Sequence, residues 1–367
     1  MRKIRKISEI QPGIGFTEFD IYQAYRVRFE LSELGKVYQL FPFGLLAREF
    51  GLQDNPLGRG SYFSSSGKIA LMVLKNYSGL SDRKLIEQLN GNIYYQLFCG
   101  MLIPPGGEIR DFKIVSKIRC ELACRLDIDR FQKVLASYWK PCLKNTSIVF
   151  SDATCYESYL RFPTKEKLLW ESIEWMHAQI VSHSQELKQR RPRNKFDEIQ
   201  KRYRAFSKTR KKTHKKKNKI RRSLIYLLEK LSGQLQAIET RHKTRLQLSG
   251  HYHKRRQIIS QVLVQEKQMQ ETKKSCCERI VSIDKHYIRP IVRGKETKEV
   301  EFGAKANLIQ VDGINFIEHI DFKAFNEGTR GISSIQYAQG LFRKKVTHFA
   351  GDCIYATNKT RKYCSSG

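Results

Sequence analysis

The sequence predicts an α/β protein: an N-terminal all-helical region, then a mixed sheet that a basic helical insertion interrupts. Three observations carry this. Helical apolar spacing recurs through residues 20 to 140. Extended apolar runs are few and confined to Ser147–Phe150 and the stretch after residue 300. Between them lies the steepest concentration of positive charge, with Leu224, Leu227, Leu228, Leu231, Leu235 and Ile238 following at the three-and-four spacing of one helix face.

The N-terminal region divides at the Gly51–Gly60 and Pro104–Gly107 loops. Within it, Ile69–Leu74 reads as helix, Gly79-Leu80-Ser81 as a turn, and Asp82–Leu89 as a second helix with Leu85, Ile86 and Leu89 on one face. Ser81 is the expected N-cap, because its hydroxyl accepts from an otherwise unpaired amide of the first turn. Two helices about a short glycine turn have the outline of a helix-turn-helix, and equally of an ordinary helical hairpin.

The charge is the loudest feature of the composition. In 367 residues, 68 Lys and Arg stand against 36 Asp and Glu, a net charge of +32. Half of that excess lies in Lys188–Arg222, where 18 cations face only Asp197 and Glu198. Such an imbalance favours a polyanionic partner. Lys201, Arg202 and Arg204, then Arg210, Lys211 and Lys212, then Lys215, Lys216 and Lys217, are the expected contacts to DNA phosphates, with a solvated helix face as the plain alternative. The insertion is expected over 170–275, its second helix marked by Ile258, Val262 and Met269 and a bend near Gly250.

No apolar run approaches the roughly 20 residues of a membrane-spanning helix, and the opening MRKIRKISEI lacks a signal-peptide core. A cytoplasmic protein is expected. Nine scattered cysteines make a poor disulfide framework. Cys120 with Cys124, Cys276 with Cys277, and His251 with His253 lack the paired spacing of a structural zinc site. No glycine-rich phosphate loop is present.

The extended runs come in an informative order. Ser147–Phe150 ends at Ser151-Asp152; Phe302–Gln310 and Ile314–Phe322 flank Val311-Asp312-Gly313, a strong hairpin signal; Thr329–Phe342 reads as helix, and Val346–Ala350 as a last strand ending at Gly351-Asp352. Strand, insertion, two-stranded hairpin, helix, strand is the order of an RNase H-like sheet without its final elements. There the first and fourth strands are neighbours, so Asp152 and Asp352 are the candidate catalytic and metal-binding residues. Paired carboxylates suit Mg²⁺ or Mn²⁺, hard cations that keep open positions for phosphate. An Asp at a strand end is otherwise a turn residue or cap. Asp312 and Asp321 are better explained by the hairpin, and Glu157 by the local turn.

Several of these residues carry a family resemblance. Phe150-Ser151-Asp152-Ala153-Thr154, with Glu157-Ser158 and Arg161-Phe162-Pro163-Thr164, resembles the first-aspartate motif of bacterial insertion-sequence transposases of the DDE type. Phe302-Gly303-Ala304-Lys305-Ala306, Ala324-Phe325-Asn326-Glu327-Gly328 and Gly351-Asp352-Cys353-Ile354-Tyr355 are similar to the stretch leading to the second aspartate. Leu74–Asp82, with Leu85 and Asn92-Ile93-Tyr94-Tyr95, resembles the N-terminal helical domain, so the likeness runs from about residue 40 onward.

The resemblance implies a helical DNA-binding domain over 1–144 and an incomplete RNase H-like core over 145–367. It implies a metal-dependent nuclease and strand transferase acting on double-stranded DNA at element ends and target, working as a homo-oligomer. Asp152 and Asp352 match the first two members of the acidic triad. The third, a glutamate on a later helix, has no counterpart in CIYATNKTRKYCSSG, which follows Asp352. The expectation is therefore a truncated transposase, with a non-catalytic DNA-binding inhibitor as the rival and a basic RNA-binding protein more remote.

Overall fold

The computed structural model describes residues 5–7, 18–54, 61–104, 106–158, 160, 163–276, 278–292 and 300–366. Arg161, Phe162, Cys277 and the Asn55–Gly60 part of the first loop lie outside the described residues. Contacts group the chain into two units, one of Met1–Ser151, Ile309–Ile317 and Gly331–Gly367, the other of Asp152–Leu308 and Glu318–Arg330.

The first unit opens with β1 (Arg5–Lys6) and continues through α1 (Glu18–Leu31), α2 (Glu33–Gln39), α3 (Phe43–Glu49), α4 (Ser65–Ser78), α5 (Asp82–Gly91) and α6 (Ile93–Phe98). Then come β2 (Met101–Leu102), α7 (Lys113–Arg125) and α8 (Ile128–Trp139). The expected all-helical region thus also holds a two-stranded antiparallel patch, with Arg5 opposite Leu102 and Lys6 opposite Met101. Leu46, Phe63, Leu71, Leu74, Leu85, Leu89 and Phe98 are fully enclosed in one core. The turn between α4 and α5 follows the sequence expectation: Gly79 takes the left-handed C-cap, and Ser81 Oγ accepts from Lys84 N–H at 3.3 Å.

The remaining strands form one five-stranded mixed sheet. They are β3 (Ile148–Glu157), β4 (Arg289–Val292), β5 (Val300–Val311), β6 (Ile314–Asp321) and β7 (His348–Gly351), ordered β4-β5-β3-β7 with β6 also on β5. β3 runs parallel to β7, and β4 antiparallel to β5. β4 escaped sequence detection because it is four residues long and contains Pro290, which has no ladder N–H and suits an edge. At the β5–β6 turn both Asp312 (φ 48°) and Gly313 (φ 83°) are left-handed, as a two-residue hairpin of matched twist requires.

In the first unit, α13 (Gly331–Phe342) covers part of this sheet. Ala338, Leu341 and Phe342 pack with Val149, Ile309, Val311 and Phe316. The outer edge of β6 is blunted from α8, where Gln132 Oε1 accepts from Ile317 N–H at 2.6 Å and Gln132 Nε2 donates to Ile317 O at 2.9 Å. After β7 the chain closes with α14 (Asn358–Ser365).

The second unit is built around four helices: α9 (Lys165–Glu186), α10 (Phe196–Lys208), α11 (His214–Arg241) and α12 (Gly250–Thr272). The insertion begins at Lys165 rather than 170, because Thr164 caps α9 by accepting from Lys167 N–H. The bend precedes Gly250, with Ser249 capping α12. On α11, Leu224, Leu227, Leu228, Leu231 and Leu235 are all fully buried, as their spacing predicts, against Ile173, Met176 and Ile180 of α9 and Ile259 and Val262 of α12. Replacing Leu228 by Ala is expected to destabilise this unit by about 3–5 kcal/mol. Urea unfolding followed by circular dichroism measures the loss, and a change below about 1 kcal/mol would contradict the packing.

Candidate active site and nucleic-acid interface

Asp152 lies within β3, not at its end as the apolar run Ser147–Phe150 suggested. The alternation of the strand continues past Phe150 to Ala153: Val149, Ser151 and Ala153 are buried, Phe150 and Asp152 exposed. Farther along, Ser158 N–H donates to Phe302 O at 2.8 Å, holding the end of β3 to β5. On the buried face, Ser151 Oγ and Ser334 Oγ share a hydrogen bond of 3.2 Å that ties β3 to α13. The Asp152 carboxylate accepts from Ala153 N–H at 2.7 Å.

β7 aligns with β3 in parallel from Ile148 opposite His348 to Ser151 opposite Gly351. Asp152 and Asp352 are the next residues along each chain. Glycine at 351 has a steric reason: a Cβ there would lie 3.0 Å from Ser151 O and 3.1 Å from the Tyr355 ring. Asp352 is exposed and precedes the 3₁₀ turn Cys353–Tyr355, its carbonyl accepting from Tyr355 N–H at 2.9 Å.

Among the described residues, no three His, Cys, Asp or Glu side chains stand together as a metal-binding group. The other acids have structural roles: Asp312 accepts from Lys144 N–H at 2.8 Å, and Asp321 from Lys323 N–H at 3.0 Å. Glu157 closes the exposed end of β3.

The nine candidate DNA-binding cations follow the end of α10, its loop and the start of α11. All are exposed except the half-buried Lys217. Arg202 pairs with Glu198 at 2.6 Å, and Lys212 sits 5.3 Å above the Phe206 ring. Among the described residues, Lys201, Arg204, Arg210, Lys211, Lys215, Lys216 and Lys217 have no acidic partner.

Their placement is electrostatically informative. α10 has Asp197 and Glu198 in its first turn and Lys208 in its last, the arrangement a helix dipole favours. α11 departs from this at its start: no acid stands in its first turn, where Lys215, Lys216 and Lys217 crowd the positive end. Uncompensated cations there cost the helix stability, and a bound anion relieves that cost.

The expected reading helices have a different surface. On α5, Arg83, Lys84, Glu87 and Gln88 face outward, and Arg83 is joined to Glu87 at 3.2 Å. Arg119 and Lys75 both reach Asp82, at 2.7 and 3.8 Å, fixing the start of that helix.

Residues 28–121 match the family model described as Transposase domain (DUF772). That span begins in α1 and ends in α7, so it takes in the α4–α5 pair. The match supports a transposase, and a transposase domain implies DNA binding. Among curated proteins and among solved structures, no match to the chain was found. Among the described residues, no helix is long and apolar enough to cross a membrane.

Two histidines are expected to make the second unit acid-sensitive. His177 stacks on Phe196 with centroids 3.6 Å apart, and His183 Nε2 meets Tyr252 Oη at 3.2 Å. Burial holds both imidazoles below 6.5 and pushes the Tyr252 phenol up to about 12. A depressed folded-state value means the unfolded chain binds the proton first, so stability is full above about pH 6.5 and falls as pH drops through the folded values. Melting temperatures are expected to decline from pH 7.5 to 5, less steeply for His183→Gln. A slope that His183→Gln leaves unchanged would remove His183 from this account.

Sequence reading missed Lys165 and Arg279, which meet Arg221 around one cavity of the second unit. The available signal was Lys165 as the first helical residue after the Thr164 cap, where a cation is unfavourable.

Proposed function

We propose that the chain is a DDE-type DNA transposase with an RNase H-like core, acting on its element ends and on target DNA. The observation that carries this reading is the parallel pairing of β3 with β7 up to Ser151 and Gly351, with an aspartate next on each strand. The first and fourth strands of the series β3, β5, β6, β7 are neighbours, as such a core requires. The match over residues 28–121 supports a transposase without bearing on the type of its core.

In this proposal Asp152 and Asp352 hold a divalent cation and keep their negative charge beside the phosphodiester to be cut. Mg²⁺ or Mn²⁺, when bound, supplies stabilisation of charge on phosphoryl oxygens and a more acidic water. The cations of α10 and α11 bind the backbone and confer salt-sensitive affinity without sequence preference. The exposed face of α5 is assigned the base contacts. Pairing of two element ends calls for a homo-oligomer, and DNA places the working protein at the bacterial nucleoid.

A second reading is a non-catalytic DNA-binding protein that occupies element ends. Incubating the chain with end-containing duplex in Mg²⁺ or Mn²⁺, with EDTA as control, separates the two. Cation-dependent nicking supports the transposase; salt-sensitive binding without nicking supports the inhibitor.

A further inference from the structure

We propose that the second unit carries a phosphate pocket for a DNA strand that has left the duplex, separate from the outer row of cations. This rests on the DNA-binding reading and specifies which form of DNA the insertion receives.

The cavity measures about 810 Å³ and is walled by the start of α9, the end of α10 and the start of α11. That volume falls in the range of small-ligand sites, room for a nucleotide rather than a duplex. Lys165, Lys167, Lys212, Lys217, Arg221 and Arg279 line it against Glu166, Glu171 and Glu174. Glu166 is engaged by Arg221 at 2.8 Å. Arg279 stands 3.9 Å from the buried Glu266, beyond hydrogen-bond reach. Nε of Arg221 and Nε of Arg279 are both buried without a hydrogen-bond partner. Lys165 is disfavoured as a cation by burial, which outweighs the pull of Glu266, and by Arg279 and Arg221 nearby. An anion in the cavity adds counter-charge beside Lys165, Arg221 and Arg279 and relieves their mutual repulsion.

The ligand is a phosphate rather than a base, because the aromatic faces here are already occupied. Trp170 stacks on Tyr203 at 4.7 Å and on Phe196 at 5.6 Å, and Lys212 covers Phe206. A nucleic-acid source follows from continuity: Lys212 and Lys217 belong both to the cavity rim and to the cation row leading into α11. A strand whose backbone tracks that row presents its next phosphate to the cavity.

The test uses the full chain, a fluorescent ten-nucleotide thymidylate with or without a 5′-phosphate, and a mixed-sequence duplex of equal length. Lys165→Gln and Lys167→Gln are each expected to weaken single-strand binding about tenfold while duplex affinity changes less than twofold. Lys215→Gln is expected to weaken both. Loss confined to the 5′-phosphorylated strand identifies a strand terminus as the source; equal loss for both strands identifies a backbone phosphate. Arg279→Lys, which keeps the charge, guards against misfolding and is expected to retain at least half of the parent's single-strand affinity. Unchanged single-strand binding in Lys165→Gln and Lys167→Gln, with duplex binding intact in the parent, overturns the pocket alone. A parent that binds neither form of DNA overturns both the pocket and the reading beneath it.

Discussion

Asp152→Asn is expected to cut cation-dependent nicking about a thousandfold while leaving salt-sensitive DNA binding in place. The amide preserves the size of the side chain and the acceptor that meets Ala153 N–H, so β3 is not disturbed. What it removes is the negative charge that retains a divalent cation. Several kcal/mol of transition-state stabilisation depend on such an ion, and about 4 kcal/mol corresponds to three powers of ten in rate. Asp352→Asn is expected to behave alike, because Asp352 follows directly on Gly351, the residue paired with Ser151. Glu157→Gln is the internal control, expected to stay within threefold of the parent. The measurement is single-turnover nicking of end-containing duplex at fixed enzyme and varied Mg²⁺. Full activity in either aspartate variant removes that residue from the site.

Exchanging Lys215, Lys216 and Lys217 together for Gln is expected to move stability and binding in opposite directions. Each lysine that contacts a phosphate contributes about 0.9 to the slope of log affinity against log salt on duplex DNA. Losing all three flattens the slope by about 2 to 3 and weakens binding most at low salt. The same change removes three like charges from the positive end of α11, each worth roughly 0.3 kcal/mol or more of helix stability. The variant is therefore expected to melt higher and bind more weakly. A merely solvated face gives the first result without the second. Melting curves and anisotropy titrations at three salt concentrations decide between them, and an unchanged slope rules out phosphate contact by this turn.

Local features of the fold were legible because local rules determine them. The buried stripe of α11 was readable from six apolar positions, the start of α5 from Ser81, and the β5–β6 turn from Asp312-Gly313. Each depends on residues within one or two turns of one another. β3 was read too short, since beyond Phe150 its alternation is kept by Ser151 and Ala153, small residues with little hydrophobic signal. α9 starts five residues ahead of the boundary expected at 170, because its N-cap, Thr164, precedes the apolar face that Leu168 and Leu169 open. The pocket cations Lys165, Arg221 and Arg279 come from three distant stretches and share no spacing.

The sequence by itself determined the helical stripes, the hairpin, the sign of the charge and the two aspartates worth attention, since periodicity, turn chemistry and composition are properties of neighbouring residues. Only the tertiary structure decided that β3 and β7 pair in parallel with Ser151 opposite Gly351, and that six cations converge on one cavity. Pairing across 200 residues is settled by which apolar faces bury together, here Val149 and Ile309 beneath Phe342, and no local pattern encodes that choice.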